Sequence, residues 1–374
     1  MRRAVAYIDV GAIERNVQRL RRGLSGGAKL CAVVKADGYG HGCIEAGRAA
    51  VRGGAAMLAV ATADEAAAMR AALPEVPILT MGALSEQEIE IALGAGSEIA
   101  LWREGFRARL AARARALGVR PRVHVKYDSG MGRLGERDAE AGARLCAAVA
   151  ADDALELAGL WTHFATADEL ENDYFERQLE AFTALAERVR AALAEGMLHA
   201  ANSAATLREP AAHFDMVRCG VAIYGMDPFG IDPRAHGLEP ALELRSHVVD
   251  TKRLEAGASV GYGRTWIAPR DTVIGVLPIG YGDGWRRGLS NRAHVLIEGR
   301  RYPIVGTISM DNLTVDLGPD ATVKAGTEAV LIGERNGVRQ SAEEVARELA
   351  TINYEVTCGL TARVPRVYVG GPHG

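Results

Sequence analysis

The chain has 374 residues, 48% of them hydrophobic and 24% charged, with a formal net charge of −3. That length accommodates two domains and a sizeable core, and the balance excludes a disordered chain. So small a net charge leaves no electrostatic footprint for nucleic acid or an anionic membrane surface. No run approaches the ~18 consecutive apolar residues of a spanning helix. The opening MRRAVAYIDV is too short for a signal segment, so a cytoplasmic protein is expected. Cys31, Cys43, Cys146, Cys219 and Cys358 are odd in number, scattered and without a C-x-x-C pair. They read as reduced thiols, and neither structural zinc nor another metal is expected.

In chain order, eight short apolar runs alternate with helical patterns between residues 29 and 225: KLCAVVKA, MLAVAT, PILTMG, EIALW, RVHVKYD, LELAGLWTHF, GMLHAANS and MVRCGVAIYG. Each run is apolar on both faces, as strands of a buried parallel sheet are. The intervening stretches, such as ADEAAAMRAAL and SEQEIEIALGAG, have helical spacing with acidic first turns. The pattern predicts a (β/α)8 TIM barrel over residues 1–238. A doubly wound sheet is disfavoured because no G-x-G-x-x-G turn joins a strand to a helix. GMDPFGIDPRAHGLEPAL then reads as a Pro/Gly-rich linker. The segments beyond it (LELRSHVVDTKRL, DTVIGVLPIG, HVLIEGRRYPIVGTISM, NLTVDL, EAVLIGE) predict a mainly β domain over 239–374. One helix interrupts it at SAEEVARELA, with Ser341 and Glu344 spaced as a capping box.

Barrel active sites collect at the carboxyl ends of the strands. Reading those ends in order gives Lys35 with Tyr39 behind it, Lys126 and Arg133, His163, then Asn202 and Ser203, then Arg218, Gly220, Val221 and Tyr224. Each has an ordinary alternative. Lys35 alone reads as a snorkelling lysine, His163 as a hydrogen-bonded structural histidine, and Arg218 as half of a buried ion pair. ANSAA reads as a helix N-cap, with Asn202 or Ser203 capping, although such an end also favours anions. Together, a desolvated lysine at a strand mouth, an anion cradle and an arginine at one rim suit a Schiff base with pyridoxal phosphate.

The motif AVVKADGYGHG resembles the lysine signature of the bacterial alanine racemases. The likeness continues in the family's order through KYDSGMGRLG, GLWTHFATADE, HAANSAA, MVRCGVAIYG, SVGYGRTW, LPIGYGDGW, VGTISMDN, TINYEV and RVPR. The resemblance implies pyridoxal 5'-phosphate as cofactor and interconversion of L- and D-alanine for peptidoglycan by two-base proton transfer. It gives Lys35 the cofactor as an internal aldimine, and it gives the phosphate to Tyr39, Ser203 (beside Asn202), Gly220, Val221 and Tyr354. Arg218 would face the pyridine nitrogen, with His163 behind the ring or linked to that arginine. Tyr262 would be the second base. Arg133 and the backbone N–H of Met310 would hold the substrate carboxylate, and Tyr281 and Asp311 would line the approach. A homodimer is implied, the β domain of one subunit completing its partner's barrel site. Lys126 matches a lysine that in family members often carries a carbamate orienting the arginine.

Tyr127 and Ser129 stand where many members have a smaller residue and threonine, Ser309 where cysteine is frequent, and Gly282 where alanine is frequent. Three related readings share the cofactor. A barrel decarboxylase would use a cysteine where this chain offers Tyr262. A broad-specificity or serine racemase would admit larger side chains. A non-catalytic pyridoxal-phosphate-binding barrel would end near residue 230.

Overall fold

A computed structural model describes residues 2–371 of the chain. By internal contacts the chain divides into two units. The first comprises Ile13–Gly38 and Cys43–Ile223, and the second Met1–Ala12, Tyr39–Gly42 and Tyr224–Gly374.

Strand β1, Val5–Asp9, belongs to the second unit. The first unit holds β2 (Lys29–Val33), β3 (Met57–Val60), β4 (Ile78–Thr80), β5 (Glu98–Leu101), β6 (Arg122–Lys126), β7 (Glu156–Trp161), β8 (Met197–His199) and β9 (Met216–Cys219). These are the eight runs read as strands. They pair in parallel from β2 through β8, and β9 pairs with β2. The seam between β8 and β9 is bridged by Asp215 N–H to Leu198 O at 3.0 Å and Arg218 N–H to Ala201 O at 2.9 Å. The sheet is therefore a near-closed barrel, and nearly every strand residue is buried because both faces are covered. Helices begin where side chains can take up their first N–H groups. Thr62 with Glu65, and Ser85 with Glu88, form reciprocal capping boxes at Ala63–Ala72 and Glu86–Gly94.

In the second unit, β1 lies between β10 (Leu242–His247) and Arg366–Val369, antiparallel to the first and parallel to the second. It thereby joins a seven-stranded sheet. A three-stranded sheet orders Asp250–Leu254, Thr272–Leu277 and Leu313–Gly318. The helix Ala342–Glu348 starts at the expected capping box of Ser341 and Glu344.

The grouping differs from the expected 1–238 and 239–374 division. β1 is taken by the β sheet, and the passage read as a linker is fastened within the second unit. Buried Asp227 accepts from Phe229 N–H at 2.8 Å and bonds His236 Nδ1 at 2.6 Å, and its own N–H donates to Glu343 at 3.0 Å.

Candidate active site

After β2 the backbone turns left-handed through five residues, with φ of 52° at Ala36, 51° at Asp37, 62° at Gly38, 54° at Tyr39 and 82° at Gly40. Left-handed conformation is unfavourable for L-residues outside glycine by ~1–2 kcal/mol each, so something must hold the turn. Glu65 does part of this: Oε1 accepts from Ala36 N–H at 2.7 Å, while Oε2 accepts from Ala61 N–H at 2.8 Å at the helix start. Asp37 adds a bond from Cys43 N–H at 3.0 Å. Half-buried Lys35 is thus carried by a constrained turn directly after the first barrel strand.

The guanidinium of Arg218 lies in the barrel interior, 3% exposed. Nη1 donates to His199 Nδ1 at 3.0 Å, and Nη2 donates to Thr162 O at 2.7 Å, Ala200 O at 3.1 Å and His163 Nδ1 at 3.4 Å. Its Nε–H is taken up by no described residue. Burial draws Arg218 down to about 10, still a cation at neutral pH. Burial likewise pulls Lys126 down to about 7, with Arg218, Arg133 and Lys35 adding to the fall and Asp128 opposing it. The Lys126 ammonium sits 4.0 Å above the Trp161 ring. His163 is held well below its usual range by burial and by the cations Arg218, Lys126, Arg133 and Lys35. The barrel therefore brings Lys35, Lys126, Arg133, His163 and Arg218 into one field, with cations in excess. Arg133 itself is exposed, on the loop that Asp128 folds by accepting from Gly130 and Gly132 N–H at 3.1 and 3.0 Å.

Asn202 is the N-cap of Ser203–Arg208, accepting from Ala205 N–H at 3.0 Å. Ser203 faces the next turn instead. Its hydroxyl oxygen accepts from Gly220 N–H at 3.1 Å and Ala222 N–H at 3.3 Å. Its own O–H remains a donor that no described residue takes up. Val221 is buried at the start of the turn Val221–Tyr224.

The second unit carries the other expected residues. The Tyr39 ring lies 5.2 Å from Tyr224 and 5.8 Å from half-buried Tyr354. Gly40 is required there, because a Cβ would come within 2.1 Å of Thr357 O. Tyr281 and Met310 lie on adjoining loops, joined by Tyr281 N–H to Ser309 O at 3.1 Å and Gly282 N–H to Met310 O at 2.9 Å. Asp311 accepts from Arg363 at 2.7 Å. The Gly282 departure gains a reason here. The space a Cβ would fill is approached to 2.4 Å by Nη1 of Arg363, a side chain whose Nε pairs with Asp283. Tyr262 is 73% exposed, yet its backbone is pinned by Thr307 Oγ1 donating to Tyr262 O at 2.8 Å.

Three residues of the barrel interior escaped the sequence reading: Glu98, His124 and His199. A signal existed for one of them. In RVHVK, alternation puts His124 on the same strand face as Lys126.

Among known families, the alanine racemase N-terminal domain matches residues 8–228 and the alanine racemase C-terminal domain matches 241–368. The alanine racemase of Symbiobacterium thermophilum is 43% identical over 371 residues, covering 99% of this chain and 98% of that protein. That of Geobacillus stearothermophilus is 43% identical over 369 residues, covering 97% and 92%. Among solved structures, alanine racemase from D-cycloserine-producing Streptomyces lavendulae superposes with a TM-score of 0.94 at 36% identity, over 100% of this chain and 98% of that one. The Bartonella henselae enzyme, crystallised with covalently bound pyridoxal phosphate, gives 0.87 at 29% identity over 98% and 99%. The chain belongs to the alanine racemase family.

Proposed function

We propose that this protein interconverts L-alanine and D-alanine with pyridoxal 5'-phosphate, as a cytoplasmic homodimer whose active site is shared between subunits, and so supplies D-alanine for peptidoglycan. The observation that carries the reading is the pairing of Lys35 at a strand mouth with a buried, donor-only Arg218 in the same barrel. When bound, pyridoxal phosphate supplies an electron sink that acidifies the α-proton of an amino acid.

The donor set fits that cofactor. Lys35 is the amine that would hold its aldehyde. The unused Nε–H of Arg218 suits a ring nitrogen that accepts. A guanidinium cannot give up its proton at neutral pH, so Arg218 would orient that nitrogen without protonating it. The unused O–H of Ser203, with Gly220 and Val221 beside it, suits a phosphate oxygen, and the surplus of cations suits a dianion. Tyr39 and Tyr354 are assigned to the same phosphate on the family pattern.

Racemisation requires proton handling on both faces of the α-carbon. Lys35 moves the proton on one face and Tyr262 of the partner subunit moves it on the other. Exposure of the Tyr262 ring on a pinned turn supports that division, since a residue serving a partner must stand clear of its own unit. Arg133 and the Met310 N–H hold the substrate carboxylate, and Tyr281 and Asp311 line the approach. Lys126, drawn down to about 7, has a neutral amine available for carbamate formation near neutral pH.

The test is circular dichroism of L-alanine incubated with the cofactor-loaded protein. The signal should decay to zero, with D-alanine recovered by chiral chromatography. A constant signal, or decay accompanied by carbon dioxide release, would refute the assignment.

A further inference from the structure

A chain of hydrogen bonds crosses the barrel interior from Arg218 on β9, through His199 on β8 and His124 on β6, to Glu98 at the start of β5. Arg218 Nη1 meets His199 Nδ1 at 3.0 Å, His199 Nε2 meets His124 Nδ1 at 2.8 Å, and His124 Nε2 meets Glu98 Oε2 at 2.5 Å. Both imidazoles are fully buried, and Glu98 is 7% exposed. The fold makes room for this chain. Gly159 on β7 faces His124, and a Cβ there would stand 2.4 Å from His124 Nδ1.

The two ends determine the direction of every bond between them. A guanidinium only donates, so His199 Nδ1 must accept. Burial and the charges of Arg218 and Lys126 hold His199 well below its usual range, so the ring is neutral and its one proton lies on Nε2. That N–H donates to His124 Nδ1, and His124 Nε2–H then donates to the carboxylate, which only accepts. Burial opposes ionisation of Glu98, but its hydrogen bonds with His124 and Arg122 and the charge of Arg122 prevail and keep it below the usual carboxyl range. Arg122 Nε donates to Glu98 Oε1 at 3.0 Å. The other partners of Arg218 are the carbonyls of Thr162 and Ala200 and the neutral ring of His163. Along this chain Glu98 is therefore the terminal acceptor, and the buried guanidinium is the donor at the other end.

We propose that Glu98 is a positioning residue for the reaction, fixing His124 and His199 as Nε2–H tautomers so that Arg218 is held as an oriented donor. The proposal rests on the assignment of Arg218 to the cofactor ring, but its first readout does not depend on turnover. Full-length protein labelled with 15N-histidine, and assigned with His124→Asn and His199→Asn variants, is examined by long-range 15N–1H correlation. Both rings should carry their proton on Nε2. Glu98→Gln retains an acceptor for His124 and should preserve both tautomers. Arg122 then keeps Glu156 as its partner. Glu98→Leu removes the acceptor, so Nδ1–H forms should appear, with kcat falling on the order of ten- to a hundredfold and KM little changed, the range for partners that orient another functional group. An Nδ1–H ring in the wild-type protein would overturn the proposal, and so would unchanged tautomers in Glu98→Leu even with kcat reduced. If Glu98→Leu does not fold, the wild-type and Glu98→Gln spectra decide. Failure of the wild type to racemise alanine would be seen separately, as a failure of the proposed reaction.

Discussion

The candidate site residues of the two units differ in how completely their own unit builds them. In the barrel unit, Arg218 and Lys126 are buried, their donors are engaged or desolvated, and both lie below their ordinary pKa values. In the β unit Tyr39 is buried, but Tyr262 is 73% exposed, Met310 52% and Tyr281 39%. Their backbones are tied into turns while their side chains stand in solvent. The first set is preorganised by folding, at an electrostatic cost to the fold. The second set adds little to folding, so its demands are those of function. Stability and activity should therefore separate between the units.

The largest effect on stability is expected from Arg218→Glu. A glutamate cannot donate to Thr162 O, Ala200 O or His199 Nδ1, and it would bury an unpaired carboxylate among acceptors. Breaking a buried charged network in this way costs roughly 3–5 kcal/mol. The urea midpoint should fall accordingly, and alanine racemisation should slow with it. An unchanged midpoint would break the comparison at its strongest point.

That division was only partly legible in the sequence. All eight barrel strands could be read because each is a short run buried on both faces, bounded by helix caps. Lys35, His163 and Arg218 could be placed because each lies at or near the end of such a run. β1 could not be assigned, since its partners, Leu242–His247 and Arg366–Val369, are more than 200 residues away and nothing in AVAYIDV encodes that pairing. Nor could the left-handed turn be read in full. Gly38 and Gly40 announce it, but Ala36 and Asp37 adopt the same conformation against their own preference, held by bonds from Glu65 and Asp37 that form only in the fold. The chain from Arg218 to Glu98 was hidden for a third reason: His124 and His199 lie inside strands that read as apolar.

Lys126→Met should have a smaller effect of opposite sign. The amine lies near 7 in the folded protein against an ordinary 10.5. Between those values the unfolded chain binds more protons than the folded one, so wild-type stability rises with pH across that window. Below it, the full penalty of burying the ammonium applies. Methionine has a similar shape and suits the face of Trp161, so it removes the penalty. Stabilisation of roughly 2–4 kcal/mol is expected near pH 6, shrinking towards zero as the pH approaches about 10. Denaturation in carbonate-free buffer at several pH values measures it. A gain independent of pH would point to packing and would remove the electrostatic half of the comparison.

Tyr262→Phe should affect stability least, within about 0.5 kcal/mol, because the ring is exposed and the turn is held by backbone contacts that phenylalanine keeps. Its effect on activity should nevertheless be severe, because general acid–base groups contribute on the order of 10²–10⁴ in rate. On the proposed division, Tyr262 takes the L-alanine proton and Lys35 the D-alanine proton. Exchange of the α-proton of L-alanine into deuterated water should therefore vanish in Tyr262→Phe, while slow exchange from D-alanine persists through Lys35. If, as proposed, the tyrosine serves the partner's barrel, mixing Lys35→Ala and Tyr262→Phe chains should restore activity. Each heterodimer then has one site with both bases intact and one with neither. Equal loss of both exchanges, with no recovery on mixing, would show that the exposed tyrosine is not the second base and that the β unit does not serve a partner's site.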